Sequence, residues 1–306
     1  MLYFIVNPTS RTGKGLEIWK SVKQYLKEHN IPFKAVDTKY EGHATELAEE
    51  LCTLPQSKIN LVVIGGDGTI NEVINGITDF SKINFGIIPT GSGNDFARGL
   101  GIKGNPIEQL KTIVDSQRTE AIDIGKAEIA GEATPRYFAI SSGVGLDAIV
   151  CKKALTSKLK TFLNKLHLGK LTYIILTVET LFSMTTADIE AWIDGEKREL
   201  SKVIFVAAMN FRAEGGGVPM APRADARDGL LSVCMVHSIP KWRTFFCLPF
   251  LVAAKHENIK GFDIVNCKKC HMKISEPVVM HADGEYCGDV VDIMYECVPE
   301  KLNLIV

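Results

Sequence analysis

Leu61-Val62-Val63-Ile64-Gly65-Gly66-Asp67-Gly68-Thr69-Ile70-Asn71-Glu72 is the stretch that decides the fold. The run Ile59–Ile64 is almost wholly apolar, the signature of a strand covered on both faces in a parallel sheet. It ends in three glycines around one carboxylate, and the spacing Thr69-x-x-Glu72 suits a capping box that opens a helix at Thr69. Glycines let backbone approach a ligand closely, and a helix N-terminus offers unpaired N–H groups to phosphate. Asp67 then stands where it can meet a ribose hydroxyl or a metal ion beside the phosphates. A plain strand–helix turn also uses glycine, but needs fewer glycines and no acid.

Outward from this stretch, strand and helix signals alternate. Strands are expected at Leu2–Val6, Phe33–Thr38 and Phe85–Pro89, and helices at Leu16–Glu28, Ala44–Cys52, Thr69–Ile77 and Pro106–Ser116. That rhythm predicts a parallel sheet flanked by helices over residues 1–122. From Asp123 the pattern turns β-rich, with strands expected at Arg136–Ser142, Ala187–Ile193, Lys202–Met209, Leu230–His237, Lys268–Ser275 and Val278–Ala282. Two helical stretches interrupt them, around Leu155–Leu181 and Lys241–His256. Residues 123–298 thus read as a second, β-rich domain, and 299–306 as a closing strand that could join either.

The whole chain has 306 residues, with Lys+Arg 35 against Asp+Glu 36. A net charge of −1 excludes a globally basic nucleic-acid binder. Hydrophobic content of 46% with 23% charged residues is that of a folded globular protein. The apolar runs Leu171–Val178 and Thr244–Ala254 fall short of the ~20 residues of a membrane-spanning helix. Met1–Val6 lacks the marks of a cleaved leader, so the eight cysteines are expected as free thiols in a reducing compartment.

Two more polar loops follow expected strands. Asn7-Pro8-Thr9-Ser10-Arg11-Thr12-Gly13-Lys14-Gly15 is glycine-rich but is not a Walker A loop. Thr90-Gly91-Ser92-Gly93-Asn94-Asp95 opens a short helix, where Asp95 serves either a site or merely the helix dipole. In open α/β sheets, ligands gather at the carboxyl ends of strands, where all three loops lie. Further on, Asp225 and Asp228 in Asp225-Ala226-Arg227-Asp228-Gly229-Leu230 suit either a cation or an Asp-Gly turn. The pair Asp283-Gly284 before Glu285 reads as a hairpin turn. Cys267-Lys268-Lys269-Cys270-His271 lacks a second ligand pair at metal-site spacing and is read as plain strand.

Taken together, Asn7-Pro8-Thr9-Ser10, Gly65–Thr69, Pro89–Ala97, Gly215–Gly229 and Asp283-Gly284-Glu285 resemble the diacylglycerol kinase-like lipid kinases of bacteria. The match runs in family order over essentially the whole chain. It implies an ATP-binding α/β domain of NAD kinase/phosphofructokinase-like type, a C-terminal β-sandwich, and an active site between them that phosphorylates a lipid hydroxyl. It further implies that Asn7, Pro8, Thr9, Ser10, Arg11, Thr38, Gly66, Asp67, Gly68, Thr69, Ile70, Asn71, Glu72 and Ser92 hold ATP. Asp67 and Asp95 would organise Mg²⁺–ATP, and Glu285 would take the hydroxyl proton. Asp225, Asp228 and the Leu230 carbonyl would hold a structural Mg²⁺, while Lys14 and Asp123 would bridge the domains. Arg11 stands where the family often has glycine, and Ser92 where it often has threonine.

Diacylglycerol is the first expected substrate; a sphingoid base, a polyprenol or phosphatidylglycerol presents a similar hydroxyl. A soluble NAD kinase-like enzyme would share Gly65–Thr69 but not Pro89–Ala97, and a non-catalytic lipid binder would be expected to lose Asp67, Asp95 or Glu285. Between Asp147 and Glu179 there is no acid but six lysines, at 152, 153, 158, 160, 165 and 170, interleaved with Leu155, Leu159, Phe162, Leu163 and Leu166. That pattern suits docking on an anionic membrane, or a helix packed on the sandwich with a solvated basic edge. Trp242, Arg243, Phe245 and Phe246 begin a second amphipathic candidate. The expectation is a cytoplasmic enzyme visiting the inner face of the membrane, without a nucleic-acid partner and with a homodimer left open.

Overall fold

The computed structural model describes residues 1–91, 93–116, 118–156 and 169–306. The chain divides into two units, Met1–Ile124 with Pro299–Val306, and Gly125–Val298.

The first unit is a parallel α/β sheet. Its elements are β1 (Leu2–Val6), α1 (Ser10–Glu28), β2 (Phe33–Asp37), α2 (His43–Cys52), β3 (Ile59–Gly65), α3 (Asp67–Gly76), β4 (Ile83–Pro89), α4 (Asp95–Gly99) and α5 (Pro106–Asp115). The strands run in the order β4-β3-β1-β2 with every pair parallel. Residues Asn303 and Leu304 add a further parallel segment beside Asn84 and Phe85 of β4. All five residues of β1 are buried, as helices on both faces of a parallel sheet require. On one face Phe4, Val6, Val62, Ile64 and Ile88 pack with Trp19, Val22 and Leu26 of α1 and with Leu110 and Ile113 of α5. The start of α5 is a capping box in which Asn105 and Glu108 satisfy each other's backbone N–H groups, with Pro106 at its first turn. Inside the span of α1, Arg11 and Thr12 are left-handed (φ 48° and 59°), so the regular helix begins after Gly13.

The second unit is a β-sandwich. It comprises the end of β5 (Thr119–Ile129), β6 (Arg136–Phe138), β7 (Ser141–Gly145), α6 (Leu146–Thr156), α7 (Gly169–Ser183), β8 (Ala187–Ile193), β9 (Glu196–Val203), β10 (Phe205–Met209) and β11 (Leu231–Val236). There follow α8 (Lys241–Val252), β12 (Phe262–Cys267), β13 (Lys269–Ala282) and most of β14 (Glu285–Ile305). One run of strands is ordered β12-β11-β10-β7-β13-β14 and is antiparallel throughout. The fourteen-residue β13 joins two layers. Its first half pairs with β8 over Cys270–Ile274, its last with β7 over Met280–Ala282, and its register with β14 shifts between these halves. Alternation along β10 sends Val206 and Ala208 into the core between the layers, and Phe205, Ala207 and Met209 outward against α6, α7 and α8.

Two sequence expectations are corrected here. Arg136–Ser142 is two strands, because the N–H groups of Ala139, Ile140 and Ser141 go to the Asp283 carboxylate instead of a neighbouring strand. Lys202–Met209 is likewise divided: Lys202 is left-handed (φ 51°) near the end of β9, and β10 starts only at Phe205. The eight cysteines are free thiols.

Candidate active site

In the first unit, hydrogen bonds knit together the loops that leave β1, β3 and β4. The Asn7 side chain donates Nδ2–H to Thr69 Oγ1 at 2.9 Å, and its Oδ1 accepts from the N–H and hydroxyl of Thr9. Ser10 donates to the Asn7 carbonyl and receives the Thr90 hydroxyl proton at 2.8 Å. At the end of β2, the Thr38 N–H donates to the Val6 carbonyl at 2.7 Å. Gly15 lies so close to the Asn7 carbonyl and the Ser10 hydroxyl that a Cβ would collide with both. Asn7, Pro8, Ser10, Thr38, Gly66–Glu72 and Thr90 thus gather at the carboxyl ends of the strands, where an α/β sheet receives a ligand. Arg11 is exposed at its left-handed position, and Ser92 lies outside the described residues.

Asp67 is the organiser of this cluster. Its Oδ2 accepts the N–H of Asp95 and its Oδ1 that of Phe96, both at 3.1 Å. It therefore caps α4, whose own N-cap, Asn94, is left-handed and gives no side-chain cap. The carboxylate of Asp95, nearly buried, pairs with the Arg98 guanidinium, which also donates to the Gly93 carbonyl at 2.6 Å. A Cβ placed on Gly93 would stand 3.4 Å from Asp67 Oδ2 and 3.5 Å from Asp95 Oδ2. Two carboxylates thus converge on space that glycine keeps open, a set of hard oxygen donors suited to Mg²⁺.

The expected capping box at Thr69 is not formed. The helix begins two residues earlier, at Asp67, behind a Gly66 N-cap with no side-chain cap. Thr69 takes the Asn7 proton instead, and Glu72 Oε2 accepts the Ala44 N–H at 3.2 Å, near the start of α2. No side chain caps α3 at Gly66, which leaves backbone N–H groups of its first turn available to a ligand beside Asp67. Within α3, Ile70 is buried in the core, and the carbonyl and Oδ1 of Asn71 accept from Asn75 Nδ2. Lys14 is exposed; the buried Asp123 carboxylate accepts the Glu300 N–H at 2.8 Å.

In the second unit, Glu285 opens β14 directly after the tight turn Asp283-Gly284, both left-handed (φ 50° and 86°), with Ala282 paired opposite it. Asp283 fixes this turn by accepting three backbone protons, from Ala139, Ile140 and Ser141, at 2.9, 2.8 and 3.1 Å. His281 adds a second anchor: its Nδ1 receives the Gly284 N–H at 3.1 Å and its Nε2 contacts Asp147 at 3.2 Å. Glu214 lies 4.0 Å from Nε2 and accepts the Ser141 hydroxyl proton. Complete burial lowers the proton affinity of His281, but the Asp147 hydrogen bond and the charges of Asp147, Glu214 and Asp283 outweigh it. The net shift is upward, to about 9.

Asp225 and Asp228 are exposed in the turn before β11, and Asp228 Oδ1 accepts the Leu230 N–H at 2.9 Å. Burial pushes the thiols of Cys267 and Cys270 up to about 12, while His271 reaches Asp292 at 2.7 Å. Of the basic stretch, Lys152 lies 3.5 Å from Asp289 and Lys153 3.0 Å from Glu179. Lys158, Lys160 and Lys165 lie outside the described residues, as does the side chain of Lys170. Thr90, Arg98, Asp147, Glu214 and His281 are site residues to which the sequence reading gave no role. Only Arg98 carried a signal, standing one helical turn after Asp95.

Residues 1–127 match the family described as the diacylglycerol kinase catalytic domain, and residues 140–306 the YegS C-terminal NAD kinase beta sandwich-like domain. The Bacillus subtilis protein YtlR, named as a candidate lipid kinase, is 30% identical over 288 residues, covering 94% of this chain and 93% of its own. A diacylglycerol kinase of the same organism is 29% identical over 290 residues, covering 93% of this chain and 89% of its own. The crystal structure of a candidate diacylglycerol kinase from Bacillus anthracis superposes with a TM-score of 0.78 at 25% identity, covering 99% of this chain and 96% of that one. With both halves matched and the glycine-flanked acids in place, the chain belongs to the diacylglycerol kinase-like family of lipid kinases.

Proposed function

We propose that the enzyme phosphorylates the free hydroxyl of diacylglycerol, giving phosphatidic acid and ADP from ATP. The observation that carries this reading is the convergence of Asp67 and Asp95 on the space beside Gly93, next to the uncapped start of α3. The names of several relatives supply the choice of lipid. Asn7–Arg11, Thr38, Gly66–Glu72 and Ser92 would hold the nucleotide, and Asp67 with Asp95 the Mg²⁺. Bound there, Mg²⁺ neutralises phosphate charge, the main requirement of phosphoryl transfer.

Glu285 takes the proton of the attacking hydroxyl as the new O–P bond forms and the bond to the ADP oxygen breaks. Its placement after a turn pinned by Asp283 and His281 keeps a single backbone geometry for that role. Asp225, Asp228 and the Leu230 carbonyl, all oxygen donors in one turn, would hold a second, structural Mg²⁺. No helix among the described residues is long and apolar enough to cross a membrane, so the lipid would be met by peripheral contact with an anionic surface.

The test is labelled-ATP phosphorylation of diacylglycerol, a sphingoid base, a polyprenol, phosphatidylglycerol and, as a soluble control, NAD. Label in diacylglycerol that drops by about a thousandfold in Glu285→Gln is the expected result. Transfer to another acceptor overturns the substrate, and undiminished transfer by Glu285→Gln overturns the base.

A further inference from the structure

The sequence of α8, Lys241-Trp242-Arg243-Thr244-Phe245-Phe246-Cys247-Leu248-Pro249-Phe250-Leu251-Val252, is apolar around nearly its whole circumference. Such a helix is normally enclosed. Here only one side is: Thr244, Cys247 and Leu251 are buried, the latter two in a core with Cys234, Val236 and Phe262. On the opposite side Trp242, Phe246 and Phe250 recur every fourth residue as one stripe and are 61%, 65% and 51% exposed. The patch continues across α7, where the exposed Phe182 ring lies 6.0 Å from Phe245 and Ile174 and Ile175 also face outward. Contiguous exposed aromatic surface of this kind marks a partner or a membrane.

Charge narrows the choice. No acidic residue occurs between Asp228 and Glu257, while Lys241, Arg243 and Lys255 flank the stripe. The one acid of α7, Glu179, is paired with Lys153. An apolar aromatic face rimmed by cations and free of acids in its own helix matches an anionic lipid surface, which takes up aromatics at the headgroup boundary and attracts the basic rim. A lipid kinase without a spanning helix among its described residues needs such a surface.

We propose that the exposed face of α8, extended by α7, is the element that inserts into the anionic bilayer. The proposal rests on the lipid-kinase reading for its biological sense, but its test does not depend on turnover. Wild type and the triple variant Trp242→Gln, Phe246→Gln, Phe250→Gln are sedimented with phosphatidylcholine vesicles, with and without about one third phosphatidylglycerol. Because these side chains are exposed, the variant is expected to melt like wild type. Vesicle binding of the variant is expected to fall by at least about tenfold. Wild-type tryptophan emission should shift blue on phosphatidylglycerol vesicles and that of the variant should not, since Trp19 is buried, Trp192 half-buried and Trp242 the exposed indole. Phosphorylation of a dispersed short-chain diacylglycerol should stay unchanged in the variant while that of the vesicle-embedded lipid falls.

Unchanged vesicle binding by the folded variant overturns the proposal. So does light scattering that shows a wild-type dimer dissolved by the same substitutions, which would make the face a contact between copies. Vesicle binding lost in the variant, with no lipid phosphorylated by wild type, would remove the kinase reading and leave the surface standing.

Discussion

Replacing Asp283 with alanine should destabilise the second unit severely, and the size of the effect follows from its hydrogen bonds. The carboxylate accepts the N–H groups of Ala139, Ile140 and Ser141, three consecutive residues that are 0%, 3% and 1% exposed. Each donor that loses this acceptor costs ~1–3 kcal/mol, towards the lower end where water enters the space left by the half-buried carboxylate. Alanine must also hold the left-handed φ of 50°, at ~1–2 kcal/mol. Together these put Asp283→Ala at about 5 kcal/mol, or ~10–20 °C of melting temperature for a domain of this size. Glycine removes the backbone strain but not the stranded donors and should cost about 4 kcal/mol. Asparagine keeps one acceptor oxygen and tolerates the conformation, so about 2 kcal/mol is expected. Urea unfolding followed by far-ultraviolet dichroism, with a near-ultraviolet probe to detect separate transitions of the two units, measures the series. Alanine and glycine variants both within about 1 kcal/mol of wild type would show that the carboxylate does not hold these groups.

Gly15→Ala should cost ~1–3 kcal/mol in the same assay, because its Cβ would collide with backbone and side chain of the Asn7–Ser10 loop. Gly13→Ala, with open space but φ 95°, isolates the cost of backbone strain alone. His281, raised to about 9 in the fold from an ordinary 6.5, binds its proton more tightly folded than unfolded. Its contribution is therefore fully present below about pH 6.5 and is lost as pH rises through about 9. Chemical denaturation between those limits should show falling wild-type stability and a flatter profile for His281→Gln; parallel profiles would contradict the coupling to Asp147.

What the sequence made legible was local. The apolar run into Gly65-Gly66-Asp67-Gly68 placed β3 and the start of a helix to within two residues, since period and glycine content are properties of neighbours along the chain. The capping box at Thr69 failed because its hydroxyl is taken by Asn7, sixty-two positions away, a competitor that no local pattern displays. The same holds for Glu72, claimed by α2, and for the cluster of Asp147, Glu214 and His281, drawn from three distant segments. Of long β14 only the end was expected, as the closing strand 299–306; its earlier part was hidden although Ile293, Tyr295 and Cys297 are alternately buried, because apolar Met294 and Val298 stand among the intervening positions and Pro299 interrupts the pattern. Among the site residues, Asp67 and Asp95 were readable and their mutual arrangement was not, because it runs through backbone N–H groups that carry no side-chain signature.

Asp67 and Asp283 now appear as instances of one device. Each acid stands beside glycine, accepts consecutive backbone N–H groups from another segment, and so fixes a neighbouring acid: Asp95 in the first unit, Glu285 in the second. A carboxylate has about four lone-pair sites, so accepting backbone N–H groups does not by itself exclude a cation. On the proposed reading, architecture and metal binding would be joined in a single side chain, and loss of activity at Asp67 would report both at once. Asp95 differs, since its carboxylate meets Arg98 and the space beside Gly93 while its own backbone is held by Asp67. The glycines are the complement of this arrangement. Gly93 keeps space beside the two carboxylates clear, and Gly66 begins α3 without a capping side chain. The motif is therefore two acids plus the absence of side chains around them, and the absence is as much a part of the site as the acids.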